Sequence, residues 1–258
     1  MMKALGDLDR LRDAECRLTP DRALRTLDEA AAFLQDRGML TRFPDCALPS
    51  LFGACHEEPG RAGGRGFDLW PKTKWIWSFQ VARRPGAMLT KMHRGKSLFL
   101  SMEAARAFDP RVTQAMADAD GDEARLLDHL GTHGPSMAED VEVELAWEHS
   151  RLKRTRVRLE RVGAVLSEGL VFDDPESWHF ERMMRWDQRV ERLKVSGDPY
   201  AAIVLAGVRA AVVTSEKDIP SWFSWKVPAE TLERLVAEKT LDRPAPGLLT
   251  LGRRRSFR

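Results

Sequence analysis

Cysteine is scarce in this chain. Three residues, Cys16, Cys46 and Cys55, stand in 258, and so small and odd a number excludes a disulfide framework. Long hydrophobic runs are missing too. None approaches the roughly 20 apolar residues that span a bilayer, and Met1-Met-Lys-Ala-Leu-Gly-Asp7 lacks an apolar signal core. The expectation is a cytoplasmic protein without membrane contact. A dominant charge is also absent: 41 Lys and Arg against 39 Asp and Glu leave a net +2. Any nucleic-acid role must therefore rest on local basic patches. Hydrophobic content of 43% with 31% charged residues is that of a globular protein, and the length suits one large domain or two to three small ones. Eight tryptophans against one tyrosine say little about function.

Several chemistries find no support. Gly60-Arg-Ala-Gly-Gly-Arg-Gly66 is glycine-rich but lacks the Gly-Lys-Ser/Thr ending of a phosphate loop, and no apolar strand precedes it. No Gly-x-Ser-x-Gly element occurs. Cys46, Cys55, His56 and His93 fit no standard zinc spacing. His129 and His133 lie one turn apart and read as a helix end. No cofactor and no metal are expected.

What is present organises itself around residues 123–172. Glu123–Leu130, Ser136–Glu139 onward and Trp147–Val162 read as three helices. Gly163 then offers a left-handed stop, and Ala164–Ser167 and Leu170–Phe172 read as a hairpin turning at Glu168-Gly169. Ser136 with Glu139 reads as a capping box. Helix, helix, helix, hairpin is the order of a winged helix-turn-helix. In the third helix Leu152, Thr155, Leu159 and Val162 share one face. Arg151, Lys153, Arg154, Arg158 and Arg161 dominate the rest. Helices in this position enter the major groove, where arginines reach phosphates and guanine edges; the alternative is a solvated charged face.

The flanking sequence repeats the pattern. Thr26-Leu-Asp-Glu29 is a capping box opening a helix that stops at Gly38. Leu48–Phe52 suggests a short helix, and Trp75, Trp77 and Phe79 alternate as on a strand. Met88–Met92 and Ser97–Leu100 form a hairpin with a basic tip of Lys91, Arg94 and Lys96, followed by a helix over Met102–Phe108. Further on come an apolar helix at Ala201–Val213, a capping-type start at Ser215–Asp218, and a helix begun by Pro228. Leu241 and Gly247–Leu251 supply strands. The resulting fold class is α+β: three tandem winged helix-turn-helix units, mostly helical with short β-hairpins. The boundaries expected are an arm at 1–22, units at 23–110 and 111–175, a connection at 176–198 containing Trp178, His179, Trp186 and Arg189, and a third unit at 199–258 with a basic tail.

This order resembles the AlkZ/YcaQ-type family of tandem winged-helix DNA glycosylases, and within it a divergent AlkZ-related branch. Carrying the resemblance are Thr26–Leu34 with Gly38, Leu48–Phe52, Lys74-Trp-Ile-Trp77, Arg84-Pro-Gly86, Lys91–Ser101 and Gly134-Pro-Ser136, within roughly residues 24–250. The resemblance implies DNA binding and a relation to the repair of crosslinked and alkylated DNA. Glycosylases of the family carry a Gln-x-Gln or Gln-x-Asp pair just after the first helix. The matching positions here are near Thr41 and Phe43, neither a carboxamide nor a carboxylate, and Asp45 is the nearest acid that could substitute. Three readings stay open: a DNA-binding protein without the standard glycosylase site, a divergent glycosylase hydrolysing N-glycosidic bonds of alkylated bases, and a winged-helix module that binds a partner protein.

Overall fold

The computed structural model describes residues 2–169, 181–191 and 198–252, leaving aside the side chains of 2–4, 169 and 181. Helix α1 (Met2–Glu15) precedes the first winged unit. That unit has α2 (Leu27–Arg37), β1 (Met39–Thr41), β2 (Ala87–His93) and β3 (Lys96–Ser101), followed by α4 (Met102–Ala117); a short α3 (Trp77–Gln80) lies between β1 and β2. The second has α5 (Gly121–His133), β4 (Ser136–Met137), α6 (Ala138–Leu145), α7 (His149–Val162), β5 (Val165–Gly169) and β6 (Glu181–Arg185). The third has α8 (Ala201–Ala211), β7 (Val213–Ser215), α9 (Ala229–Ala237), β8 (Leu241–Asp242) and β9 (Leu248–Leu251). Each unit closes a three-stranded antiparallel sheet, ordered β1-β3-β2, β4-β6-β5 and β7-β9-β8. The short strand before the hairpin and the hairpin itself are the wing of a winged helix. The fold is three such units in tandem, mostly helical with short hairpins.

Local chemistry explains most of these elements. Thr26 Oγ1 accepts from Glu29 N at 3.1 Å, Glu29 reaches back to Thr26 N at 3.2 Å, and Gly38 ends the helix at φ +79°. In the first hairpin Arg94 and Gly95 both have positive φ, 54° and 78°. That is the requirement of a two-residue type I′ turn, and it pairs His93 with Lys96. The register slips between Thr90 and His93. Met92 O is thereby released to accept from both Ser224 N and Ser224 Oγ, at 2.9 and 3.0 Å. The bulge thus makes one of the joints between the first and third units.

Packing is shared across units. One buried cluster runs from Met88, Met92 and Leu100 through Phe108 and Val112 to Trp186, Val208, Trp222 and Leu249. Units this small bury a limited share of their surface alone, and the joint core adds to it. A second cluster, with Phe33, Leu51, Phe52 and Trp70, belongs to the first unit; a third, with Leu126, Trp147 and Leu159, belongs to the second.

Five expectations need correction. Leu48–Phe52 is not a helix: Ser50 bridges Thr41 in parallel, with Thr41 N donating to Pro49 O and Leu51 N to Thr41 O, both at 2.9 Å, and a helical turn comes only at Gly53–Cys55. Trp75, Trp77 and Phe79 are not on a strand: they occupy a turn and α3, with Trp75 and Phe79 meeting edge-on at 6.1 Å. Their i, i+4 spacing gives that contact as readily as alternation would. Ser136 and Glu139 form no capping box. Ser136 lies in β4 opposite Met183, its hydroxyl donates to Gly134 O at 2.9 Å, and Met137 caps α6. Sheet pairing claims the backbone that the box would use. Glu168-Gly169 is not a turn, since Glu168 pairs with Arg182 and Gly169 with Glu181. The return strand therefore comes from within 176–198, which the sequence presents as a connection; its charged ends hide the apolar Met183-Met184 pair that the sheet buries. Ser215–Asp218 opens only a single helical turn at Ile219–Ser221. Leu170–Phe172, Trp178, His179 and the basic residues 253–258 lie outside the described residues.

Candidate nucleic-acid interface

The candidate residues divide between α7 and the first hairpin. On α7, Leu152, Thr155 and Leu159 are buried, and Lys153, Arg154, Val157, Arg158 and Arg161 are exposed. Arg151 is held by Asp122 through a bidentate pair at 2.8 and 2.5 Å, and Arg158 lies 3.9 Å from Glu123. Arg161 leans on the hairpin tip: a Cβ placed on Gly95 would stand 2.9 Å from Arg161 Nε. The exposed stripe of α7 thus continues onto Arg94 and Lys96, forming one basic track. Lys91 turns the other way, 3.9 Å from the buried Glu160, which also accepts a hydrogen bond from Ser167.

The track ends at a cavity of about 1010 Å³ between the first hairpin, the aromatic segment 67–79 and strand β5. One wall is aromatic. Trp70 lies 4.9 Å from Phe67, 6.2 Å from Trp75 and 5.7 Å from Phe79. Phe67, Leu69 and Trp75 are exposed, and such a patch on a concave surface marks a binding site. Five basic side chains line the cavity (Arg42, Arg83, Lys91, Lys96, Arg189) against two acidic ones, Asp45 and Glu168. The Arg42 guanidinium stacks 4.6 Å above the Trp70 ring, and burial lowers its pKa to about 10. Sequence reasoning missed Arg42, Phe67, Trp70 and Arg189. The aromatic spacing from Phe67 to Phe79 was the available signal for the wall; nothing local marks Arg42.

Asp45 also lines the cavity. It accepts from His93 Nε2 at 2.8 Å, from Arg94 at 2.9 Å and from Lys96. The other ring nitrogen of His93 donates to Trp222 O at 2.6 Å. Burial raises the Asp45 pKa, but the hydrogen bonds from Lys96 and His93 outweigh it and hold the carboxyl below the ordinary range. A folded-state pKa below the unfolded one adds stability above the unfolded value, about 3.9, and that stability disappears as pH falls through the folded pKa. The acid limb of Tm against pH should therefore be flatter in Asp45→Asn than in the natural protein; parallel limbs would contradict the clamp. Thr41 and Phe43 follow different paths. Thr41 is buried and its hydroxyl donates to Phe43 O at 2.8 Å, whereas Phe43 lines the cavity and meets Phe52 edge-on at 5.4 Å.

The four residues weighed for zinc do not converge. Cys55 Sγ donates to Leu51 O at 3.2 Å and His56 Nε2 contacts Arg17 O at 2.8 Å, while Cys46 and His93 meet at Asp45. Burial pushes the Cys46 thiol up to about 12, and Lys96 and Arg94 already occupy the Asp45 carboxylate, so this cluster is a poor cation site.

Fold and cavity together define a tandem winged-helix protein with an aromatic, cation-rimmed concavity. Among solved structures it is similar to the DNA glycosylase AlkZ of Streptomyces sahachiroi, with a TM-score of 0.54 at 12% identity over 90% of this chain. At that identity the likeness shows the fold. The chain spans 64% of the length of that structure. No family model matches the sequence, and no curated protein matches it. No helix among the described residues is long and apolar enough to cross a membrane.

Proposed function

We propose that this protein binds DNA and is related to the crosslink- and alkylation-repair glycosylases, without their standard glutamine-based site. The observation that carries the reading is the basic track from Arg154 and Arg158 through Arg161 to Arg94 and Lys96, which ends at the aromatic cavity. Phosphates take the arginines and lysines, and aromatic faces take bases. The fold shared with a DNA glycosylase supports it. Against catalysis of the standard kind, the Thr41 hydroxyl is committed to a backbone carbonyl and Phe43 brings only a ring.

Phosphate contacts make affinity fall with salt, by about 0.9 in log–log slope per contact. Arg154→Ala/Arg158→Ala should therefore weaken binding of a duplex and flatten the slope by about 1.8, read by fluorescence anisotropy across a salt series. An unchanged slope removes α7 as the contact. Absence of binding at low salt favours the protein-partner reading.

A second reading draws on Asp45, an ionised carboxylate at the cavity wall that could stabilise the positive charge developing at a sugar as a base departs. Its three cationic or hydrogen-bonding neighbours neutralise much of that capacity. Incubation with alkylated DNA separates the readings. Abasic sites that disappear with Asp45→Asn would establish the glycosylase; no release leaves the binding protein.

A further inference from the structure

We propose that His129, His133 and Glu144 form a site for a first-row divalent cation, with zinc the best chemical match. The site lies in the second unit, outside the cavity. His129 and His133 are one turn apart on α5, so both rings leave the same face, with centroids 4.6 Å apart. Glu144 comes from α6. Its Oε2 stands 3.5 Å from His129 Nδ1 and 3.8 Å from His133 Nδ1, and one ligand atom from each of the three falls within 4.8 Å of the others; His133 Nδ1 also lies 3.2 Å from His129 O, a hydrogen bond that an ion bound there would replace.

The two distances to Glu144 are too long for hydrogen bonds, which lie near 2.7–3.2 Å. The shorter suits a shared cation as it stands, and the longer does so after a small turn of the half-exposed His133 ring. Metal–ligand bonds of about 2.0–2.2 Å in a tetrahedron put neighbouring ligand atoms roughly 3.3–3.6 Å apart. The His129 side chain is 3% exposed, and Nδ1 is the ring atom turned to Glu144, while Nε2 on the opposite edge is buried without a hydrogen-bond partner among the described residues. Nδ1, the buried ring atom nearest Glu144, is thus the one placed to meet an ion. Half-exposed His133 and Glu144 leave the site open to entering ions and to water at a fourth position. Two imidazoles and one carboxylate are a donor set that zinc accepts and that calcium or magnesium does not favour. A bound ion would tie α5 to α6, the two helices that carry the basic helix α7.

The test is titration of the metal-free full chain with Zn²⁺ and Co²⁺. One equivalent should bind, the Co²⁺ form should show visible d–d absorption of a low-symmetry centre, and Tm should rise with metal concentration by mass action. His133→Ala and Glu144→Gln change exposed ligands and keep the fold. Each should weaken binding by more than about tenfold, since loss even of an outer-shell partner costs that much. Cys46→Ser should bind as the natural chain does. Absence of saturable binding, or binding that survives both His133→Ala and Glu144→Gln, overturns the site.

Discussion

Trp222→Ala should destabilise the protein by about 3–5 kcal/mol, the usual loss for a fully buried aromatic. The ring is completely buried and lies against Gly207, where an added Cβ would stand 2.4 Å from its edge. Its Nε1 donates to Asp218 Oδ2 at 2.6 Å, and the same carboxylate oxygen accepts from Ala47 N at 2.7 Å. Its backbone carbonyl receives the His93 ring at 2.6 Å. One residue therefore joins the third unit to the first hairpin and to the loop carrying Asp45. Removing the ring leaves a cavity and strands half of the Asp218 bridge. In urea unfolding the midpoint should fall sharply with an unchanged slope. A loss under about 1 kcal/mol would show that the third unit does not depend on this joint.

Gly163→Ala should cost roughly 2–4 kcal/mol, from two separable sources. The residue ends α7 at φ +81°, where an L side chain costs about 1 kcal/mol. An added Cβ would also stand 2.7 Å from Met92 Sδ and 3.0 Å from Val112 Cγ2, both in the fully buried shared core, and overpacking of that kind costs about 1–3 kcal/mol. Gly121 has φ +49° and nothing within 4 Å of the corresponding position, so Gly121→Ala carries the backbone cost alone. The difference between the two variants in chemical denaturation isolates the packing. Equal losses would mean that Met92 and Val112 yield freely. Because Gly163 seats α7 against the hairpin, its substitution should also weaken the DNA binding proposed above, by shifting Arg161 away from the tip.

Much of this molecule could be read from its residues, and the reasons for success and failure are specific. The Thr26–Glu29 box, the Gly38 and Gly163 stops and the Arg94-Gly95 turn depend on backbone chemistry within a few residues, so the sequence states them directly. The helical faces of α7, α8 and α9 show through their spacing. The Trp75–Phe79 segment misled because a short aromatic run fits two periods equally well. The second wing misled because its return strand begins at Glu181, beyond a polar stretch, and no local signal measures the length of a hairpin loop. Asp45 was visible as a nearby acid, but its partners His93, Arg94 and Lys96 lie some 50 residues away across the fold.

By itself the sequence determined the repeating order of helices and hairpins and the basic faces of α7 and the first hairpin tip, because these follow from spacing along the chain. Only the tertiary structure decided that Arg161 meets Gly95, that Arg42 stacks on Trp70 within a cavity, and that Glu144 approaches both His129 and His133. Those meetings depend on how three units share one core. Each unit buries part of its apolar face in the shared cluster, so the packing that completes that core also places distant side chains together.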